Sequence, residues 1–142
     1  ATWLLPLSRT QGEFVAALEE LAREAGGHHR VPCRFERQLA GEPAIGESAR
    51  EPLLRVVQGA LSHALPRPGC TGAQVTLAGD DADLVLVVDV DGDALAEGEA
   101  APLRAARYRA LQVGAALAFG STAAGRSSMR LTLPLKPPSP LA

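Results

Sequence analysis

Aromatic residues are scarce in this sequence and make up only 4% of its 142 residues. A hydrophobic core must therefore be built mainly from Leu, Val and Ala. Apolar residues still amount to 46% and charged residues to 21%, which is the composition of a folded domain and not of a disordered chain. The length and the lack of a linker or internal repeat predict one domain, with a core over about residues 10–135.

Three further absences exclude classes of function. Basic residues are not in excess, since the net charge is −2, and nucleic-acid binding is therefore disfavoured. No apolar run approaches the roughly 20 residues of a transmembrane helix, and the first ten residues lack the features of a signal peptide. We therefore expect a cytoplasmic domain without direct membrane contact. The missing initiator Met suggests a fragment of a longer protein.

Clusters of metal ligands are also missing. Cys33 and Cys70 have no further ligand at metal-binding spacing, so a disulfide is possible but reduced thiols are the simpler interpretation. His63 has no His, Cys or carboxylate partner three or four residues further on. Asp89 and Asp91 belong to a D-x-D-x-D run that lacks the final Glu of a calcium-binding loop. The sequence therefore predicts no metal site of these kinds.

Hydrophobic periodicity in the first half predicts a helix, a strand and a second helix. The first helix spans about 10–25, opened by a Thr10–Glu13 capping box and stopped by Gly26 and Gly27. A short strand follows at 31–37. A second capping box, Ser48–Glu51, opens the next helix; Pro52 falls within its first turn, and Pro66 and Pro68 end it.

The second half predicts two strands, a helix and two more strands. The strands at 73–77 and 84–90 flank a turn at 79–81, and an acidic, flexible segment follows at 91–100. A helix runs from Pro102 to about residue 113, and a hairpin closes the domain with strands at 116–121 and 128–135. A proline-rich tail covers 136–142. Hairpins with helices between them indicate an α+β fold, a mixed sheet with helices packed on one face.

The helix L-R-V-V-Q-G-A-L-S-H-A-L at 54–65 is similar to the N-box helix in the ATP-binding domain of two-component sensor histidine kinases, in the nitrate and membrane-fluidity sensor branch. V-D-V-D-G at 88–92 resembles the D-box region, and the helix at 102–114 and the hairpin at 120–135 resemble the last elements of that domain. The four weak matches occur in the family's order and spacing over nearly the whole chain.

The resemblance implies the histidine kinase-like α/β sandwich of gyrase-type ATPases. It also implies ATP and Mg²⁺ as cofactors and phosphate transfer to a histidine on a separate dimerisation domain. The expected partners are upstream dimerisation and sensor domains of the same protein, and a response regulator is left open as another. Carried over position by position, the cofactor-binding candidates are His63, Arg67, Asp89, Asp91, Gly92, Gly125 and Ser127.

Several positions depart from the family's pattern. His63 replaces the Asn that coordinates magnesium, and an imidazole is a poor ligand for that cation. Gly59 replaces the acidic residue associated with phosphoryl transfer. Val90 stands where an Asp binds adenine, and Asp89, one residue early, would point to the opposite face of its strand. Pro102 replaces a glycine of the phosphate-binding loop.

Two hypotheses follow. The favoured one is a degenerate kinase-like domain, with weak or no ATP binding, that acts as an interaction or regulatory module in bacterial two-component-type signalling. The alternative is an active Mg-ATP-binding catalytic domain that phosphorylates a partner histidine. No residue is assigned a catalytic role.

Overall fold

The computed structural model describes residues 14–39, 43–80, 82–122 and 125–135. Over these residues the order of elements is the predicted one. They are α1 (Phe14–His29), β1 (Cys33–Arg37), α2 (Glu47–Ala64), β2 (Ala73–Gly79), β3 (Asp83–Asp91), α3 (Ala101–Gln112), β4 (Ala116–Ser121) and β5 (Arg126–Pro134). The predicted Thr10–Glu13 capping box and the tail at 136–142 lie outside the described residues.

The five strands form one mixed sheet in the order β1-β2-β3-β5-β4. Strands β1 and β2 are parallel, and the other neighbours are antiparallel. Burial alternates along β3, where every even-numbered residue is buried and every odd-numbered one is partly exposed. One face of the sheet is therefore covered by the helices and the other is not, which confirms the predicted α+β fold.

Leucine, valine and alanine dominate the core, as the composition predicts. Apart from Phe14, the largest fully buried side chains are leucines, contributed by all three helices and by the central strands. Leu18 and Leu21 of α1 and Leu53 and Leu61 of α2 are completely buried. Each such side chain contributes roughly 1.5–3 kcal/mol relative to an exposed one. Packing of the helices on the sheet thus positions the ends of α2 and β3.

The predicted end of the first helix is wrong. Helix α1 continues through Gly26 and Gly27 to His29, and Arg30 then adopts a left-handed conformation with φ of 57°. The amide of Val31 donates to the carbonyl of Gly26 at 3.0 Å, which closes a Schellman motif around Arg30. Gly26 serves close packing instead, because a Cβ there would lie 2.8 Å from the carbonyl oxygen of Val31.

The predicted cap of the second helix is also wrong. Helix α2 begins at Glu47 after an extended Gly46, which provides no side-chain cap. Ser48 is consequently the second helical residue, and Pro52 lies in the helix interior, beyond the first turn. Since Pro52 has no N–H, the carbonyl of Ser48 lacks its usual donor four residues later. The predicted end holds, because the helix stops at Ala64, just before Pro66.

The first strand starts at Cys33 and not at residue 31, since pairing with β2 begins at the Cys33–Ala73 position. Cys33 and Cys70 are both free thiols. Burial, and to a smaller extent the proximity of Cys70, raises the pKa of Cys33 to about 11. At neutral pH this thiol is therefore protonated and weakly reactive.

The two edge strands differ in charge. Three of the five residues of β1 are charged, whereas β4 contains none. Thr122 donates to the carbonyl of Arg126, so the even-numbered residues of β4 face β5 and the odd-numbered backbone groups face outward. Arg107 of α3 donates to one of these outward groups, the carbonyl of Leu117, at 3.1 Å. Its guanidinium also lies 5.2 Å from the centre of the Phe119 ring.

Candidate functional site

A cleft of about 310 Å³ lies where the end of α2, the β3–α3 segment (residues 92–100) and the start of α3 meet. His63 comes from the end of α2, Arg67 from the turn that follows it, and Leu103 from α3. The β3–α3 segment supplies most of the remaining wall. This volume is at the small end of the range for ligand-binding pockets.

His63 lies in this cleft and is half-buried. Burial, with a smaller effect from Arg67, lowers the pKa of its imidazole, and a hydrogen bond to the backbone of Ala94 partly opposes that shift. The ring is therefore neutral at pH 7 and is joined to the β3–α3 segment. Magnesium requires hard oxygen ligands, so His63 does not fit the metal that the resemblance implies. No group of three His, Cys, Asp or Glu in the described ranges is arranged to hold a metal ion.

Negative charge prevails around the cleft. Three exposed carboxylates of the β3–α3 segment line it, those of Asp93, Glu97 and Glu99. The positive charge in this lining comes from the guanidinium of Arg67. The lining of the cleft therefore carries more negative than positive charge. Each close pair of a carboxylate and a phosphate costs roughly 1 kcal/mol in water and more where solvent is excluded.

The start of α3 offers few backbone donors to a phosphate. Pro102 is the second helical residue and has no N–H. The amides of Leu103 and Arg104 both donate to the carbonyl of Ala100, at 2.9 and 3.0 Å. Gly59 of α2 faces this turn, with the Pro102 carbonyl 3.9 Å from the position a Cβ would take. The helix N-terminus is thus a weak anion site compared with a glycine-rich one.

Asp89 and Asp91 lie on the uncovered face of the sheet, opposite to Val90. Val90 is 0% exposed and points toward the helices. Asp91 accepts a hydrogen bond of 2.7 Å from Thr71 Oγ1, and its carboxylate lies 3.6 Å from Arg126 Nε. Burial raises the pKa of Asp89, with Arg126 opposing the shift. Neither carboxylate lines the cleft of His63.

Gly92, Gly125 and Ser127 form a separate cluster beside the cleft. The Gly92 amide donates to the Gly125 carbonyl. The Ser127 hydroxyl donates to the Gly92 carbonyl at 2.8 Å and accepts from the Leu95 amide at 3.0 Å. Ser127 is completely buried. Both hydrogen-bonding functions of its hydroxyl are therefore used within the protein.

The structure brings the seven predicted site residues together in three groups and not in one. His63 and Arg67 share the cleft, the glycine–serine cluster lies beside it, and the two aspartates lie on the other face of the sheet. Sequence reasoning missed the anchoring of the β3–α3 segment, which it predicted to be flexible. The apolar pair Ala94–Leu95 within that acidic stretch was the available signal, since Leu95 is 0% exposed.

Solved structures share this architecture. The Erythrobacter litoralis EL346 blue-light activated histidine kinase matches with a TM-score of 0.70 and 16% identity, over 91% of this chain and 44% of that one. The Mycobacterial sensor histidine kinase MprB matches with a TM-score of 0.61 and 14% identity, over 87% of this chain and 96% of that one. The fold is that of histidine kinase catalytic domains. This chain thus spans less than half of the light-activated kinase.

A third structure, the catalytic domain of histidine kinase ThkA, matches with a TM-score of 0.62 and 12% identity, over 85% of this chain and 89% of that one. Identities this low establish the fold and not the activity. No protein-family model matches the sequence, and no curated protein matches it. Among the described residues, no helix is long and apolar enough to cross a membrane.

Proposed function

We propose that this chain is a degenerate ATP-binding-like domain of a sensor histidine kinase, with weak or no ATP binding, that acts in two-component-type signalling in the cytoplasm. The observation that carries the proposal is Val90, which is 0% exposed and points to the helix-covered side at the position that the resemblance assigns to adenine recognition. An aliphatic side chain there has no acceptor for the amino group of the base. His63 offers magnesium an imidazole where the family has an amide oxygen, and Pro102 has no N–H to donate to a phosphate.

The decisive experiment is a titration of the chain with a fluorescent ATP analogue and magnesium. We expect no saturable binding at millimolar nucleotide. Micromolar affinity would instead support the alternative, an active catalytic domain. A thermal shift with ATP checks the same point, because ligand at 100 times its dissociation constant adds about 2.7 kcal/mol of stability.

A reversion variant makes this test sharper. Gly59→Glu with His63→Asn restores the residue types of the family's N-box at positions where the backbone leaves room, since a Cβ on Gly59 makes only ordinary contact with Pro102. Val90→Asp would add the base acceptor, but a carboxylate buried at this position costs about 3–5 kcal/mol if uncompensated. In the variant that combines Gly59→Glu, His63→Asn and Val90→Asp, we expect ATP to restore part of the lost stability. In Val90→Asp alone, we expect ATP to restore none of it.

For the interaction role, the exposed face of α3 is the best-supported surface. Tyr108 and Leu111 are 65% and 68% exposed and are the large hydrophobic side chains exposed in the described ranges. Three residues apart on a helix, they share one face, with Arg104 one turn before Tyr108. We propose that a dimerisation or sensor domain of the same protein covers this face.

Hydrogen exchange of α3 tests that proposal, measured for this chain alone and for this chain with the dimerisation or sensor domain present. We expect that domain to protect the amides of 104–112, and Tyr108→Ser/Leu111→Ser to abolish the protection. Arg109→Ser, an exposed residue on the same helix, serves as the control. Equal exchange with and without the domain would contradict docking through α3.

A further inference from the structure

A second groove lies where the end of α1 meets the start of β1, and we call it the α1–β1 groove. It has a volume of about 390 Å³ and shares no lining residue with the cleft of His63. Two arginines line it, Arg23 of α1 and Arg30 of the turn that follows this helix. None of the described residues that line the groove is acidic. The groove is therefore a basic site in a chain whose net charge is −2.

The two guanidiniums have no partner elsewhere in the described ranges. Arg23 and Arg30 are exposed, and neither makes a hydrogen bond or an ion pair there. Glu19 lies one turn before Arg23 on the same helix, but the two side chains form no ion pair. The carboxyl end of α1 contributes a negative charge of about half an elementary charge, which two full positive charges exceed. On balance, the α1–β1 groove attracts an anion.

Arg30 adopts a backbone conformation that is unfavourable for arginine. Its φ is 57°, and within the part of the chain that the structure describes it is the only residue other than glycine with a positive φ. Glycine usually occupies this position at the end of a helix and closes the same turn without strain. Residues in such conformations are often retained at binding sites because their side chains are needed there. A ligand bound by the Arg30 guanidinium accounts for the retention of this side chain.

The remaining lining of the groove is apolar or small. Val31 and Pro32 contribute aliphatic surface, and Gly26 and Gly27 contribute backbone without side chains. Cys33 contributes a half-buried thiol, which is protonated at neutral pH because burial raises its pKa to about 11. The volume is within the range of pockets that hold small organic molecules. Such a lining suits an anion with a carbon skeleton better than a bare inorganic ion.

We propose that the α1–β1 groove binds a small organic anion. Its carboxylate or phosphate group contacts Arg23 and Arg30, and its carbon atoms pack against Val31 and Pro32. The groove is separate from the cleft that the kinase-like resemblance assigns to nucleotide, so the proposal holds whether or not ATP binds there. Cys33 takes no chemical part in this binding, but its thiol reports what enters the groove.

Alkylation of Cys33 in the whole chain measures the charge of the groove. Iodoacetate and iodoacetamide attack a thiolate in the same way, but only iodoacetate carries a negative charge. The ratio of their rates cancels any change in the pKa of the thiol. We expect this ratio, measured by peptide mass spectrometry, to fall about two- to fivefold in Arg30→Gly and in Arg23→Gln, because a positive charge 4 Å away favours an anion about fivefold in water.

Arg34→Gln is the matched control. Arg34 is the exposed residue next to Cys33 in β1, but it does not line the groove. This variant removes the same charge as Arg23→Gln and should keep the wild-type ratio. In high salt the ratios of all variants should converge, because screening shortens the reach of the guanidiniums to about 3 Å at 1 M.

Protection of Cys33 tests the ligand directly and identifies its charged group. Phenyl phosphate and benzoate present the two anionic groups on the same ring, and benzamide is their neutral counterpart. An anion present at its dissociation constant occupies half of the grooves and should slow alkylation by iodoacetamide about twofold. We expect this slowing with at least one of the two anions, none with benzamide, and none in Arg30→Gly. The more effective anion shows whether the groove prefers phosphate or carboxylate.

Unfolding is separated from these effects within the same experiment. Glycine adopts the conformation of Arg30 freely, so Arg30→Gly keeps the turn. Alkylation of the buried Cys70 reports any opening of the domain. The proposal is overturned if the rate ratio is unchanged in Arg30→Gly and Arg23→Gln, or if Arg34→Gln lowers it equally. It is also overturned if neither phenyl phosphate nor benzoate protects Cys33.

Discussion

The carboxylate of Asp91 accepts a hydrogen bond of 2.7 Å from the hydroxyl of Thr71. This contact joins the last residue of β3 to the chain just before β2, on the sheet face that the helices leave uncovered. Arg126 of β5 approaches the same carboxylate at 3.6 Å. Asp91 thus joins β3 to β5 and to the segment that leads into β2, at one end of the sheet.

From this arrangement we predict that Asp91→Ala lowers the free energy of unfolding by about 0.5–1 kcal/mol, because the contacts are partly exposed to solvent. Urea unfolding measures the change. Asp93→Ala, which removes a nearby exposed carboxylate from the cleft, should change stability much less. Should Asp91→Ala instead abolish a nucleotide affinity that the wild type possesses, the structural role assigned to this residue would be wrong.

Asp89 should make the stability depend on pH in the acidic range. Burial raises the pKa of Asp89 above the usual 3.8, so the folded state keeps this proton longer than the unfolded state does. Stability therefore falls as the pH rises from 3.8 through the raised pKa. We expect Asp89→Asn to gain stability over the wild type across that range, as urea unfolding at a series of pH values would show. Removing Arg126, which opposes the shift, should widen the difference.

His63 should act in the opposite pH direction. Burial and Arg67 lower the pKa of His63 below 6.5, so the unfolded state takes up its proton first as the pH falls. The native state then loses stability between pH 6.5 and the lowered pKa. Replacing His63 with Gln should reduce this loss in unfolding experiments between about pH 5 and 7.5. His29, whose pKa burial and His28 also lower, should account for part of the slope that remains.

Arg30 offers a way to stabilise the domain without touching the cleft. Its φ of 57° is unfavourable for a residue with a Cβ, by roughly 1–2 kcal/mol, whereas glycine adopts it freely. We predict that Arg30→Gly raises the free energy of unfolding by about 0.5–1 kcal/mol after the entropic cost of glycine in the unfolded chain. Arg30→Ala, which keeps the Cβ, should bring no such gain. Equal effects of the two variants would exclude the backbone explanation.

The order of helices and strands followed from local signals. Hydrophobic periodicity together with proline and glycine signals located all eight elements, and turn residues placed the hairpin at Gly79, where a Cβ would lie 2.4 Å from the carbonyl oxygen of Asp83. Helix ends were harder, because competing signals lay close together in the sequence. Two adjacent glycines indicated the end of α1, yet Gly26 lies inside the helix, where the carbonyl oxygen of Val31 leaves no room for a Cβ. The residue that adopts the left-handed conformation at the end of α1 is Arg30, which the usual preference for glycine does not predict.

The candidate site was only partly accessible from the sequence. Strand alternation was enough to predict that Asp89 and Val90 face opposite sides of the sheet, as they do. The anchoring of Leu95 by Ser127 joins residues 32 positions apart, and the bond between Thr71 and Asp91 joins residues 20 apart. Such contacts depend on strand order and register, which periodicity alone does not determine.

The hydrogen bond between Arg107 and the Leu117 carbonyl has a consequence for the behaviour of the domain at high concentration. The outward backbone groups of an uncharged edge strand can form hydrogen bonds with a strand of another chain. β4 contains no charged residue and no proline that would hinder such pairing. The guanidinium occupies an acceptor that an incoming strand would need, and it brings a positive charge to that edge. A helix side chain therefore protects the sheet against intermolecular growth, a protection that the edge strand's own sequence lacks.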